Sequence, residues 1–510
     1  MACCRHRISK WRSRFGARSV FLTIKKNISY KQFSFTCVTK QDIEKEISNL
    51  DSTKKGTFAS IPTKCLKDAS DICSEYLLDL WNKEIITYGT FPDNLKLADV
   101  TPIFKKYDAT QCKNYRPVSV LPCVSKLFEH LMQKQLLQNI EQHLSPYLCG
   151  YRKNYSPQTA LIHLIEQWKE SVDQNGFTGT VLMDLSKAFD TINHELLIAK
   201  LDAYGLDRQS LKIILNYLQD RWQRIKINTN FSSWSQLLQG VPQGSVLGPI
   251  LFNIYLNDLF FMISDCEVCN YADDTTPFVC DRSLKNTLLR LEHETETIIC
   301  WFESNYMKLN TDKCHLIIGG NKYEHIWIQL GKDKVWESRQ VKLLGITLDH
   351  QLKLDSHVLN ICKKAGRKLS ALTRMMPYLS FEKKRILLKT FFESQFKYCP
   401  LVWMFHSREL NNKINKLHER ALRLIYNDQC SSFEELLHKD NSFTIHDQNV
   451  QSLVIEMYKV FNGQAVETFS DIFVKREDLI NLRSRSDFNL PLINSELNGK
   501  NSVRYFGPLI

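Results

Sequence analysis

Apolar positions in this chain follow two rhythms, one near 3.6 residues and one of short β-branched runs, and the switches between them mark the elements. Residues 39–50 carry Ile43, Ile47 and Leu50 at helical spacing, behind Thr39 and Asp42 as a cap. Residues 66–88 repeat the pattern with Leu66, Leu77, Trp81 and Ile85 until Gly89 and Pro92 end it. Residues 98–104 read as a short strand that delivers Lys105 and Lys106 into a turn, and 114–121 as a second strand with Arg116 near its start. A long amphipathic helix covers 124–144, and Ser156-Pro157 caps another running to Val172.

Residues 180–186 read as a buried strand with one charge, Asp184, at its centre; 193–205 is helical and 224–228 strand-like. A Gly-rich loop at 239–245 leads into an apolar helix over 246–261. Strand character at 267–271 and 277–280 brackets Asp273-Asp274, which predicts a tight hairpin with a two-residue acidic tip. A helix at 283–301, a turn and strand at 309–318, and a strand pair kinked at Gly345 follow. From His357 onward every pattern is helical.

Composition narrows the classes. The 510 residues suffice for one to three domains, and 43% hydrophobic content suits packed cores rather than disorder. No apolar run reaches the ~18 residues of a membrane span. A net charge of +12 favours a polyanionic partner. Sixteen cysteines without an even framework fit reduced, intracellular thiols, and Cys266-x-x-Cys269 lacks the second pair that structural zinc wants. Residues 1–41 hold no Asp or Glu; that basic leader reads as an arbitrary start, ahead of a mitochondrial transit peptide or a nucleic-acid arm.

The candidate chemistry is acidic. Adjacent carboxylates at 273 and 274 repel unless a cation sits between them, and hard oxygen ligands suit Mg²⁺. The competing reading is an Asp-rich turn bonded to its own backbone. A carboxylate inside a strand, as at Asp184, needs a base or a metal. Arg116 with Lys105 and Lys106 can clamp a phosphate, Arg as a planar fork and Lys as a point charge. Lys363, Lys364, Arg367, Lys368 and Arg374 make a helix face suited to a phosphate backbone, or to solvent.

Four stretches, in this order, carry a resemblance: Asn114-Tyr115-Arg116-Pro117-Val118-Ser119; Asp184-Leu185-Ser186-Lys187-Ala188-Phe189-Asp190; Gly240-Val241-Pro242-Gln243-Gly244-Ser245; and Tyr271-Ala272-Asp273-Asp274. The chain resembles reverse transcriptases of non-LTR, LINE-type retrotransposons, close to jockey-like elements, over roughly residues 40–510. The resemblance implies an α+β right-hand polymerase fold with fingers, an antiparallel-sheet palm, a helical thumb and an all-helical C-terminal region. It divides the chain into a leader (1–41), a helical extension (42–85), fingers and palm (86–349), thumb (350–405) and C-terminal helices (406–510). It implies an enzyme that extends a DNA primer with dNTPs on an RNA template, in the nucleus or cytoplasm, with no membrane partner.

By the same resemblance Asp184, Asp273 and Asp274 hold two Mg²⁺ ions, Mn²⁺ being the alternative, about 3.5–4 Å apart for in-line attack on the α-phosphate. Lys105, Lys106, Arg116, Phe189, Gln243, Gly244 and Lys313 serve the dNTP, with Phe189 as a steric gate against a ribose 2′-hydroxyl. Arg152, Tyr271, Lys363, Lys364, Arg367 and Lys368 serve the nucleic acid. The chain departs from the family at Lys55-Gly56-Thr57-Phe58-Ala59-Ser60, in having no upstream endonuclease and in its early C-terminus, which suggests a partial copy. An inactive nucleic-acid-binding remnant and a group II intron maturase are the alternatives.

Overall fold

The computed structural model describes residues 32–53, 56–57, 60–320, 326–474 and 488–510. Most of the basic leader, together with Lys55, Phe58 and Ala59, lies outside the described residues.

Local signals start the helices where the sequence places them. Thr39 accepts from the Asp42 N–H and the Asp42 carboxylate accepts from the Thr39 N–H, a reciprocal cap on α1 (Lys40–Asn49), which buries Ile43 and Ile47. The next amphipathic stretch breaks into Thr63–Asp68, Ser70–Asp79 and a wider turn at Leu80–Thr87. Along the chain then come β1 (Leu97–Phe104), β2 (Tyr115–Val120), α2 (Cys123–Ile140), α3 (Pro157–Asp173), β3 (Phe177–Leu182), α4 (His194–Ala203), β4 (Arg221–Ile227) and α5 (Leu247–Leu256). They are followed by β5 (Glu267–Tyr271), β6 (Asp274–Asp281), α6 (Leu284–Ser304), β7 (His315–Gly319), β8 (Gln340–Leu343) and β9 (Ile346–Asp349). The helices α7 (Asp355–Thr373), α8 (Phe381–Phe391), α9 (Arg408–Tyr426) and α10 (Ile445–Phe461) complete the labelled elements. The architecture is α+β, as expected. No described helix is long and apolar enough to cross a membrane, and every described cysteine is a free thiol.

Two compact units emerge. One holds the described residues up to Ser145 with Leu185–Ser264 and Thr297–Leu309; the other holds Pro146–Asp184, Asp265–Glu296 and the described residues from Asn310. Segments distant in sequence share a unit, so compactness here is not a property of contiguous blocks.

In the first unit β1 runs antiparallel to β2 and parallel to β4. Its core gathers Trp81, Phe91, Phe128 and Tyr217, with Phe91 edge-on to Tyr217 at 5.1 Å. The second unit is built on an antiparallel sheet in the order β7-β3-β6-β5. Helix α3 crosses it, burying Trp168 so closely that a Cβ on Gly319 would overlap the indole. The β8–β9 hairpin turns through Leu344 and Gly345, both with positive φ, as a tight two-residue loop demands.

Candidate active site

The hairpin of β5 and β6 carries the acidic pair, and its register corrects the sequence reading. Tyr271 pairs with Asp274, so the two loop residues are Ala272 and Asp273, and Asp274 is the first residue of β6. The acidic tip is therefore one aspartate in the turn and one in the ladder. Ala272 takes a left-handed φ of 57°, which such a short loop requires of its first residue. Asn270, fully buried in β5, donates from its side chain to the Ala272 and Asp274 carbonyls at 3.2 Å each and braces the turn from beneath. Gly150 lies against the turn: a Cβ there would come within 2.3 Å of the Ala272 nitrogen.

Asp184 arrives by a bridge rather than from the middle of a strand. The expected strand over 180–186 ends at Leu182, and Asp184 lies beyond it, partly exposed. That corrects the reading of a buried mid-strand charge. An antiparallel bridge joins Met183 to Thr275, with the Met183 N–H donating to the Thr275 carbonyl at 3.0 Å. The bridge draws the segment holding Asp184 alongside the start of β6, and the Asp184 charge acts on Asp274.

The electrostatics follow from that placement. Burial first, then the charges of Asp273 and Asp184, push the Asp274 carboxyl from its ordinary 3.8 up to about 6. Lys313 donates to Asp184 Oδ2 at 2.9 Å, and the Asn310 side chain reaches the same oxygen at 3.5 Å. The Asn310 N–H also donates to the Asp184 carbonyl at 2.9 Å. Asp184 thus has a cation partner, whereas the charges acting on Asp274 are both carboxylates.

These are hard oxygen donors in a field of surplus negative charge, which suits Mg²⁺. Among the described residues no three His, Cys, Asp or Glu side chains group closely enough to cage an ion by themselves. Mg²⁺ does not need such a cage, because it keeps waters and substrate phosphates as ligands beside one or two carboxylates.

Within the first unit the loop after Gln239 is anchored at several points. Gln243 accepts from the Ser119 N–H at 2.7 Å through its carbonyl, and its side chain donates to Asp190 at 2.8 Å. Gly244 has a φ of 123° and lies so near the Ser119 carbonyl that a Cβ would come within 2.5 Å of it. Glu129, fully buried, accepts from the Val246 N–H and the Ser125 hydroxyl, and the Arg221 charge also favours its ionised form. Phe189 stacks on Phe252 with centroids 4.5 Å apart, and its carbonyl accepts from the Val241 N–H. Lys105 and Arg116 are both exposed at one end of the β1–β2 ladder, where the Lys105 N–H closes onto the Asn114 carbonyl; Lys106 lies over the Tyr107 ring at 4.6 Å.

A family model described as Reverse transcriptase (RNA-dependent DNA polymerase) matches residues 103–348. The chain carries a reverse transcriptase domain. It is 24% identical over 404 residues to the RNA-directed DNA polymerase from mobile element jockey of Drosophila melanogaster, covering 76% of this chain and 44% of that protein. It is 24% identical over 428 residues to the probable RNA-directed DNA polymerase from transposon BS of the same fly, covering 79% and 45%. The probable polymerase from transposon X-element is also 24% identical, over 376 residues, covering 70% and 40%. The chain thus spans less than half the length of these relatives.

All three aspartates and Lys313 lie inside the reverse transcriptase domain, as do Lys105, Lys106, Arg116, Arg152, Phe189, Gln243, Gly244 and Tyr271. Tyr271 closes the ladder against Asp274, while Arg152 turns back onto the Leu148 carbonyl and the Tyr155 ring. Lys363, Lys364, Arg367 and Lys368 lie beyond the domain, exposed on α7. Gly150, Asn270, Asn310 and Glu129 have no role in the sequence reading. Asn270 did leave a trace there, as a lone amide inside a strand run; Glu129 left none, since an acid in an amphipathic helix ordinarily faces water.

Proposed function

We propose that this chain is an RNA-directed DNA polymerase of the non-LTR retrotransposon kind, adding dNTPs to a primer 3′-hydroxyl on an RNA template, inside the cell. The observation that carries this reading is the mutual field of Asp184, Asp273 and Asp274 within a reverse transcriptase domain, with Asp274 pushed up to about 6. Two of these carboxylates are brought together by the Met183–Thr275 bridge. When bound, Mg²⁺ supplies activation of the 3′-hydroxyl and stabilisation of charge on the departing pyrophosphate.

The side chains do the rest. Asp184, Asp273 and Asp274 hold the divalent ions, and Lys313 keeps the Asp184 carboxylate oriented through its ion pair. Lys313 also gives a positive charge, or a proton, to pyrophosphate in this reading. Arg116, Lys105 and Lys106 bind the triphosphate. Phe189 excludes a ribose 2′-hydroxyl, and its stack on Phe252 supports a ring held rigidly enough to discriminate. The Gln243-Gly244 backbone, fixed to Ser119, supports the incoming base and template.

Primer extension on an RNA template with Mg²⁺ tests the reading, with Asp273→Asn as control. Extension by the wild type and its loss in the variant is the expected result. Equally poor extension by both would favour a nucleic-acid-binding remnant.

A further inference from the structure

Tyr398 lies beyond the reverse transcriptase domain and reaches back onto it. Its hydroxyl donates to the Leu344 carbonyl at 2.7 Å. Leu344 and Gly345 are the two loop residues of the β8–β9 hairpin, both with positive φ. The Tyr398 ring lies along that turn: a Cβ on Gly345 would stand 3.2 Å from its Cε1 and 3.5 Å from its hydroxyl oxygen. Glycine therefore serves twice there, for its φ of 83° and for the room it leaves the ring. Tyr398 is 45% exposed, so filling a core does not account for the residue, whereas its hydrogen bond to the turn does.

The backbone behind Tyr398 is held firmly. Cys399 takes a left-handed φ of 47°, a strain that persists only where the surroundings over-determine it, and a short helix, Pro400–Trp403, follows. The Trp403 indole N–H donates to the Tyr398 carbonyl at 3.0 Å, and the Leu401 N–H donates to the Gln158 side chain on α3 at 3.1 Å. Two residues along α3, the Ala160 carbonyl accepts from the Cys269 thiol of β5 at 3.1 Å. Helix α3 thus holds both the platform of Tyr398 and the strand that leads into Asp273. Tyr271, at the end of that strand, and Leu344 pack against the same core as Cys399. The closeness shows in ionisation too: burial, then Cys399 and Tyr271, push the Tyr398 hydroxyl up to about 12, and burial, then Cys149 and Cys399, raise that of Tyr271.

We infer that Tyr398 is a positioning residue: its hydroxyl pins the Leu344–Gly345 turn beside Tyr271 and so fixes the seat of the hairpin that carries Asp273 and Asp274. Tyr271 pairs directly with Asp274, so a shift of Tyr271 displaces a carboxylate of the acidic cluster. The consequence for primer extension rests on the polymerase reading, whereas the pinning itself does not.

Tyr398→Phe in the full chain removes the hydroxyl and keeps the ring. Hydrogen exchange read by mass spectrometry should then speed by about 3–10-fold in peptides covering the 343–346 turn and the 270–275 hairpin, the order one hydrogen bond commands. Peptides from α10 should exchange as before. In primer extension kcat should fall by about 10–100-fold while the KM for dNTP stays within about 2-fold, as loss of alignment rather than of binding requires. A brace that served folding alone would lower the melting temperature and leave kcat per folded molecule intact, which overturns the proposal. Faster exchange confined to the 343–346 turn overturns it, as does unchanged exchange in both segments. A Phe variant that does not fold overturns it as well, since the hydroxyl is then scaffold. Extension by both chains alike, with unaltered exchange, would sink the pin and leave the polymerase standing. No extension by the wild type, with exchange responding in both segments, would do the reverse.

Discussion

Two acids, one buried and one partly buried, show how one residue type serves opposite ends. Glu129 in the first unit and Asp274 in the second are both pushed above the ordinary carboxylate range, and burial is the first cause for each. Around Glu129 every other influence favours ionisation: the Arg221 charge, the Val246 N–H, and the Ser125 and Tyr217 hydroxyls. Around Asp274 every other influence opposes it, namely the charges of Asp273 and Asp184. A buried acid surrounded by donors is scaffold. A partly buried acid surrounded by acids is incomplete until a cation arrives.

The comparison breaks most decisively in activity. Asp273→Asn or Asp184→Asn should lower primer extension by on the order of 10³-fold or more, with an unchanged circular dichroism melt. A collapse in folding instead would move the acidic cluster into the scaffold class. Glu129→Ala should do the opposite. Leaving the buried Val246 N–H and Ser125 hydroxyl without their acceptor should cost about 1–3 kcal/mol by denaturant unfolding. A loss below ~1 kcal/mol would show that the buried network holds little.

Asp274 ionises near 3.8 when unfolded and about 6 when folded, so the folded state holds the extra proton between those values. Stability of the metal-free protein should therefore fall as pH rises from about 4 to about 6, by at most ~3 kcal/mol from this group. Asp274→Asn should remove that fall and stabilise the protein in EDTA above pH 6. Added Mg²⁺ should raise the melting temperature of the wild type but not of this variant. A pH-independent melt in EDTA would mean that the acids do not share a field.

Smaller effects sharpen the contrast. Phe189→Val should admit ribonucleotides, lowering dNTP-over-rNTP discrimination by about 10–100-fold in competitive extension, the order one pocket contact commands. Lys313→Met should change stability by no more than ~1 kcal/mol, because the Lys313–Asp184 pair is largely exposed. It should still slow extension, and full activity would remove Lys313 from the reaction.

Much of the element plan is legible locally because caps and periodicity act over three or four residues. Thr39 with Asp42, and Ser156 before Pro157, start helices where their side chains predict. The hairpin was legible too, but not its register. Which aspartate entered the ladder was decided by Asn270 below the turn and Gly150 against it. The break after Leu182 was hidden because hydrophobicity continues through Met183, and only pairing with Thr275 shows where the chain leaves the sheet.

By itself the sequence determined the local elements, the four motifs and the chemical kinds of side chain available. The tertiary structure decided which of those side chains feel one another: Asp184 beside Asp274 across 90 residues, Lys313 on Asp184, Val246 on Glu129 and Lys363 facing α9. Charge interactions depend on distance and on exclusion of water, and neither is a property of any short stretch of chain.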